Sequence, residues 1–570
     1  MAELGLAIAP IAYKALIKTW NTLDDSLSFS EDSQDLLIRL ETARAHLSIW
    51  ASLSGLDYGE LEPDLLAYDA LIVKSLERIT ALLSDADEMK KQYGITIEDV
   101  TTTPTQSSKI DDMRRLLFAA TFPKKSKRER LAGADLSRHA IQKRLSWGIY
   151  DKKKFENFIS LVETHVNGLH KLLPDSRRKR AQHEETRFTL RVVEGLSDTE
   201  SLLRFKSIPA VSPESTLVDV SSLAEWKSIA LQRNAPSAAS AVQAEDFSLS
   251  GSTVADRMKP RFLKRGRVDP DACYLFEKKE YDLNISDSDK DLLRERIRKL
   301  VTLLGSSRTN HQLHTLQAVG YIDDTQLGVW WIVFRFPIFL PPPSATLSQC
   351  EPVSLRNLFT SGLKPSLEQR FALARRLTGT FAKLYASDWM HKSINSQNII
   401  FPVLLEKESL RTFRTLGSAL VQGFGYSRQH TEDQTVDRGK AGGQLESAIY
   451  RHPYYQGEAA SGYQVHYDIY SFGLLLFEIA VWAPLMDLLA ATPRQRPPVE
   501  LSPKMGRFHE TEALELKRRT LIRVEHDLPF RVGSKYAAVV RWCMTLEGPI
   551  SAVEFYNCVA IPLGELPVDG

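Results

Sequence analysis

The sequence predicts a multidomain chain: an all-α helical bundle over residues 1–175, a linker over 176–260, and an α+β fold over 261–565. Three observations carry this. At 570 residues the chain is longer than one hydrophobic core serves. Its first third repeats apolar residues at helical spacing, with no strand pattern between the helices. Beyond residue 260, runs rich in β-branched and aromatic residues come first and helical patterns follow.

In the bundle, Leu36, Leu40, Ala43, Leu47 and Trp50 alternate spacings of four and three, which makes a single apolar stripe. The next helix is expected to start near Pro63, where a missing N–H costs nothing. It carries Leu65, Ile72, Leu76, Ile79 and Leu83 on one face. After a Thr-rich loop at 101–105 and a basic stretch, a last long helix presents Phe155, Phe158, Val162, Val166, Leu169 and Leu172, and stops at Leu173-Pro174. The linker opens on Ser176-Arg-Arg-Lys-Arg180, and Ser, Ala and Pro dominate 233–252, a composition of flexible chain. Residues 211–229 are a candidate for docking on a neighbour. In the α+β part, 273–279 and 329–334 read as strands around a helix at 286–304. Residues 367–385 and 467–482 read as helices.

Several function classes fall away on composition. A formal net charge of +2 provides no global field for phosphate backbones, so no nucleic-acid partner is expected. Cys273, Cys350, Cys543 and Cys558 are scattered without CxxC spacing, which fits neither a disulfide framework nor a zinc site and does fit a reducing, cytoplasmic setting. No metal site is expected from the histidines, which lack HExxH spacing. His139, His165 and His170 read as ordinary core or surface residues. The apolar N-terminus has Glu3 in place of a cationic leader. Lys14 and Lys18 keep it short of the ~20 apolar residues a spanning helix needs. The run 472–491 is interrupted by Glu478, Pro484 and Asp487.

Chemistry concentrates after residue 390. His391-Lys-Ser-Ile-Asn-Ser-Gln-Asn398, followed by Ile-Ile-Phe401, keeps the spacing H-R-D-L-x-x-x-N of a kinase catalytic loop. Gly423-Phe424-Gly425 stands where D-F-G would. Tyr450-Arg-His-Pro453 follows, with Tyr454 in place of the glutamate of A-P-E, and then Asp468-Ile-Tyr-Ser-Phe-Gly473 opens an apolar helix. With these four motifs in order, residues 265 to 560 resemble a protein kinase domain. The resemblance implies a bilobal kinase-like fold with an N-lobe over about 261–340 and a C-lobe over 341–565.

The departures point away from catalysis. A kinase needs an aspartate to accept the substrate hydroxyl proton and another to hold magnesium. Here those positions are Ser393, a hydroxyl without basicity near neutral pH, and Gly423, which has no side chain. Loss of a general base costs roughly 10² to 10⁴ in rate, and the metal ligand's electrostatic contribution is lost as well. His391, Ser393, Asn398 and Gly423 are thus degenerate catalytic positions, and a pseudokinase is expected. The phosphate-covering glycine loop is also missing; only Lys264-Arg-Gly266-Arg-Val precedes the first strand. By resemblance Lys279 is the candidate ATP-phosphate lysine, with Lys278 as alternate and Glu295 as its partner. A solvated strand-end charge is the other reading of Lys279. Asn398 is expected to brace its loop rather than bind metal. Asp468 is expected to accept backbone N–H bonds from the His391 loop, forming a structural core with Phe424 and Gly425. ATP binding, without a strict magnesium requirement, stays open.

Gly5-Leu-Ala-Ile-Ala-Pro-Ile-Ala-Tyr-Lys-Ala-Leu16 begins the chain. Arg144-Leu-Ser-Trp147-Gly-Ile-Tyr-Asp151-Lys-Lys-Lys-Phe155-Glu-Asn-Phe-Ile159 follows a lysine-rich loop. On these two segments residues 1–175 resemble the fungal HeLo (HET-s/LopB, prion-inhibition and propagation) domain. The resemblance implies a membrane-targeting helical bundle whose N-terminal helix, residues 4–20, can be released, with Leu6, Ile8, Ile11, Leu16, Ile17 and Trp20 as apolar contacts. An ordinary core helix is the alternative. Lys124, Lys125, Lys127, Arg128 and Arg130, and a second cluster at 177–180, would each add about 1 kcal/mol of attraction to anionic lipid; a solvated loop explains them equally. No prion-forming repeat is recognisable in the linker.

The combined expectation is a cytoplasmic switch protein of the cell-death or heterokaryon-incompatibility type. A degraded kinase domain would regulate a bundle that meets protein partners or the membrane periphery and oligomerises on activation. Two alternatives stand: a divergent active kinase that recruits Asp433, Asp437 or Glu446 as metal ligands, and a non-enzymatic scaffold.

Overall fold

The apolar stripes of the first third become the inner faces of packed helices. The computed structural model describes residues 8–26, 34–84, 95–99, 107–121, 145–149, 152–207, 216–231, 254–266, 272–281, 284–337, 352–403, 416–426, 428–429, 445–456, 463–490 and 499–568. The chain divides into two compact units, Met1–Glu225 and Trp226–Gly570. In the first, α1 (Ala9–Ser26) packs on a later helix, α3 (Asp69–Ser84), while α2 (Gln34–Ser54) packs on α4 (Ser107–Thr121), α5 (Lys152–Lys171) and α6 (Asp175–Gly195). Leu36, Leu40, Ala43, Leu47 and Trp50 of α2 are buried, as are Ile72, Leu76, Ile79 and Leu83 of α3 and Phe155, Phe158, Val162, Val166 and Leu169 of α5. Each such side chain is worth roughly 1.5–3 kcal/mol when fully buried. These stripes, more than intrinsic propensity, hold the helices. A part-buried ion pair joins two of them: Arg39 of α2 donates to Glu163 of α5 through Nε at 3.1 Å and Nη2 at 2.7 Å.

Three expectations need correction here. Pro63 begins a 3₁₀ turn, Pro63–Tyr68, and α3 starts only after it. The bundle is not free of strands, because β1 (Ile95–Asp99) pairs antiparallel with β2 (Leu145–Ile149), placing Ile97 opposite Trp147. Five-residue strands are too short for their alternation to stand out. The supposed linker contains α6, α7 (Thr199–Ser207) and α8 (Thr216–Leu231). Pro174 ends one helix and serves as N-cap of the next. The charged start of α6 hides a later buried stripe of Phe188, Leu190, Val192 and Val193. No described helix is long and apolar enough to cross a membrane.

The second unit contains an antiparallel sheet of order β3-β4-β6-β5, built from β3 (Arg261–Arg265), β4 (Cys273–Glu280), β5 (Gln317–Asp324) and β6 (Val329–Phe336). Phe262, Tyr274, Phe276, Val329, Trp331 and Val333 form one apolar face. Between β4 and β5 runs α9 (Asp287–Gly305), capped by Ser286 and packed on β5. Helices dominate afterwards: α10 (Leu367–Ala386), α11 (Val465–Val481), α12 (Glu510–His526) and α13 (Ser534–Thr545). Short strands stitch the loops between them. The pairs are β7 (Val353–Ser354) with β9 (Ile399–Phe401), β9 with β10 (Leu420–Val421), and β8 (Trp389–Met390) with β11 (Arg428–Gln429). Buried from Val465 to Ala480, α11 is the axis of this part. Its Gly473 allows α13 close approach, since a Cβ there would lie 2.7 Å from Cys543 Cβ. At the end of α8, Lys227 pairs with Asp388 at 3.1 Å, and Trp226 O accepts from Trp389 Nε1. Cys273 and Cys543 are buried and Cys558 is half-buried, while Cys350 lies outside the described residues.

Candidate functional site

Strands β8 and β9 deliver the 391–398 loop against the first turn of α11. There the fully buried Asp468 carboxylate accepts from His391 N at 2.6 Å, Lys392 N at 2.8 Å and Tyr463 Oη at 2.6 Å. Burial pushes this carboxyl up to about 6 although the three donors pull the other way. Lys392 sits at φ +64, a strained conformation that the carboxylate helps to hold. The His391 imidazole is engaged at both nitrogens: Nε2 faces Gln422 O at 3.0 Å and Nδ1 accepts from Ser393 N at 3.3 Å. With burial lowering its pKa to about 3, this ring stays neutral and acts as a brace.

The Asn398 side chain is the hub of the loop. Its Nδ2 donates to Ser393 O at 2.6 Å and to Ser393 Oγ at 2.9 Å, and its Oδ1 accepts from Arg261 Nη2. Arg261, projecting from β3, also donates to Gln397 O at 3.0 Å and to Glu277 Oε2 at 3.1 Å. The same Glu277 oxygen accepts from Gly423 N at 3.1 Å. Gly423 has φ +90, and a Cβ on it would come 2.3 Å from Asn398 Cγ and Nδ2. The Asn398 amide therefore occupies the place where a side chain at 423 would go. Phe424 is buried and packs edge-on against His391 with ring centroids 4.6 Å apart.

Lys279 is 5% exposed, so the reading of a solvated strand-end charge is overturned. It lies beside Gly425, where a Cβ would be 3.6 Å from Lys279 Cβ and Cδ. Strand alternation turns Lys278 to the other face, where it pairs with Glu280 at 2.8 Å. Glu295 of α9 has Arg298 at 3.8 Å. Glu446 accepts from Arg356 at 3.1 Å and from Gln397 at 2.7 Å, which commits it to the loop, while Asp433 and Asp437 lie outside the described residues. The 450–453 segment is fixed to α11 by Tyr450 Oη donating to Glu478 at 2.6 Å and Ser471 Oγ donating to Tyr450 O at 2.8 Å.

The predicted residues His391, Ser393, Asn398, Gly423, Phe424 and Asp468 thus meet, with Gly425 and Lys279 alongside. Arg261, Glu277 and Tyr463 complete the site and were not foreseen. A magnesium nucleotide does not fit these residues as they stand. Asn398 Oδ1 already accepts from a guanidinium, no carboxylate stands at 423, and Glu277 Oε2 holds Arg261 and Gly423 N, which leaves only its buried Oε1 without a hydrogen bond.

In the first unit, Leu16 and Trp20 of α1 are buried and Ile17 half-buried, whereas Ile8 is 57% and Ile11 70% exposed. The described helix runs from Ala9, residues 4–7 of the expected 4–20 helix lie outside the described residues, and Asp69 accepts from Ala9 N at 3.2 Å. Leu6, Lys124, Lys125, Lys127, Arg128 and Arg130 lie outside the described residues. In the second basic cluster Arg177 is committed to Glu62 at 2.8 Å and Asp64 at 3.3 Å. Residues 4–204 match the family model HeLo, described as prion-inhibition and propagation. The HeLo match runs past residue 175, through α6 and into α7, the stretch that the sequence disguised as linker. No curated protein matches the chain.

Proposed function

We propose that the chain is a cytoplasmic switch protein of the fungal cell-death and incompatibility type. In it a kinase-like but catalytically silent domain restrains a HeLo bundle that meets a membrane or a protein partner. The observation that carries the silent half is the pairing of Asp468, which holds the His391 loop, with Gly423, which leaves that loop without a second carboxylate. The antiparallel sheet with a helix between its second and third strands, followed by a helical part, supports a bilobal kinase-like reading. The HeLo match supports the effector reading, and the exposed Ile11 of α1, with Ile8 just before the helix, gives an apolar surface for a bilayer or a second copy.

The test pairs two assays. With labelled ATP, the chain transfers no phosphate above the level of Lys279→Ala; transfer abolished by that substitution would sink the silent-domain reading. When expressed in a fungal host, a version ending at residue 225 is more toxic than the full chain. Equal toxicity would show that the C-terminal unit restrains nothing.

A further inference from the structure

We infer that Arg261 and Glu277 form an internal clasp in the position a metal nucleotide would need, so that the domain is held closed by its own charges and takes no ATP. The word nucleotide rests on the kinase-like reading; the clasp rests on the geometry alone. Arg261 leaves β3 and meets three acceptors of different origin: the Glu277 carboxylate on β4, the Gln397 carbonyl and the Asn398 amide oxygen. A guanidinium presents its donors in a rigid fork, so one side chain can satisfy a strand and a loop together. Glu277, 4% exposed, neutralises this cation and reaches Gly423 N. Two neighbouring strands are therefore bolted to both loops, 391–398 and 423–425, by one ion pair.

The chemistry of the site follows from that arrangement. Asn398 Oδ1 is the natural lone pair for a cation in this loop, and Arg261 supplies a permanent one that cannot dissociate. Polyphosphate would enter next to the Glu277 carboxylate with no metal to screen the repulsion, and would have to strip Arg261 from three acceptors at once. Gly423 belongs to the same device. Any side chain there would evict the Asn398 amide from its contacts with Ser393 and Arg261. The missing aspartate at 423 and the resident guanidinium are two aspects of one packing solution.

The experiment uses the full chain. Thermal-shift titration with ATP, with and without magnesium, shows no saturable stabilisation up to millimolar concentration. Saturable stabilisation of the unmodified chain overturns the inference even if phosphotransfer stays absent, which separates it from the failure of the proposed function. Hydrogen exchange then reads the clasp itself. Amides of 391–398 and 420–426 exchange at least tenfold faster in Arg261→Ala, and by less in Arg261→Lys, which keeps the charge but loses the fork. Glu277→Gln, which retains an acceptor oxygen, serves as a milder second variant if Arg261→Ala does not fold. Folded variants whose exchange in both segments matches the unmodified chain refute the clasp.

Discussion

Replacing Asp468 tests the organising contact of the site most directly. The carboxylate serves three donors, and Asp468→Ala leaves the N–H groups of His391 and Lys392 and the Tyr463 hydroxyl without it. An orphaned buried donor costs about 1–3 kcal/mol. Lys392 N is partly buried and can recover some hydration, so the three together come to about 4 kcal/mol, a large share of the 5–15 kcal/mol that stabilises a typical domain. Asp468→Asn keeps one oxygen for one N–H but turns an NH₂ toward the other, for a loss of about 2 kcal/mol. Because the chain has two units, a single unfolding midpoint would mix them, and the readout is hydrogen exchange of a peptide covering 389–398. At 1.4 kcal/mol per factor of ten, Ala accelerates exchange about a thousandfold and Asn about thirtyfold. Less than tenfold acceleration in Asp468→Ala would show that the loop holds its shape without the carboxylate and would refute the account of the site.

Four further outcomes follow. His46 is half-buried with its Nε2 inaccessible and unpartnered among the described residues, and the loss of hydration lowers its pKa from 6.5 to about 3. Its folded state refuses the proton that the unfolded chain accepts below pH 6.5, so its contribution is present above that pH and is lost on acidification, by about 2 kcal/mol at pH 5. His46→Leu should keep its stability at pH 8 and lose about 2 kcal/mol less than the parent between pH 8 and 5, measured by urea unfolding of the bundle signal at each pH. Raised to about 7 by burial, Glu185 pushes in the opposite direction and is common to both proteins. Arg39→Ala leaves the part-buried Glu163 carboxylate without its guanidinium and costs about 1–3 kcal/mol, read as a drop in the urea midpoint of the bundle signal. Gly473→Ala forces a Cβ to 2.7 Å from Cys543 Cβ and costs about 1–3 kcal/mol, read by hydrogen exchange of the α11 and α13 amides. Gly423→Asp combines a positive φ with the Asn398 overlap, so it speeds hydrogen exchange of the 391–398 and 420–426 amides and yields no phosphotransfer.

What the sequence disclosed was whatever repeats or has fixed spacing. The stripe Leu36 to Trp50 needs five positions to declare itself, and every one is buried. The 391–398 loop and Asp468 lie far apart in sequence, yet the contact between them was expected and is present as two hydrogen bonds from the loop backbone to the carboxylate. Elements were missed where the pattern is short or masked by charge. Gln317–Asp324 breaks its alternation at the irregular register between Ala318 and Gly320, and Arg261–Arg265 places cations at three of five positions. The start of α6 is Asp-Ser-Arg-Arg-Lys-Arg, so its polar face is read before its buried one.

Arg261 and Glu277 were missed for a different reason. Motif spacing picks out residues within one segment and says nothing of a charged pair that reaches them from neighbouring strands. The signal was nonetheless in the strand: Glu277 stands two residues before Lys279, and period-two alternation puts both on one face. An acid on the face that also carries the buried lysine must find a partner or lose its charge. Pairing β3 with β4 in antiparallel register sets Arg261 directly opposite Glu277, so once the hairpin is drawn the ion pair is dictated. The loop then offers the remaining guanidinium donors the acceptors nearest to hand, Gln397 O and Asn398 Oδ1. A degenerate motif is thus better read together with the charged residues facing it than by its missing aspartates alone.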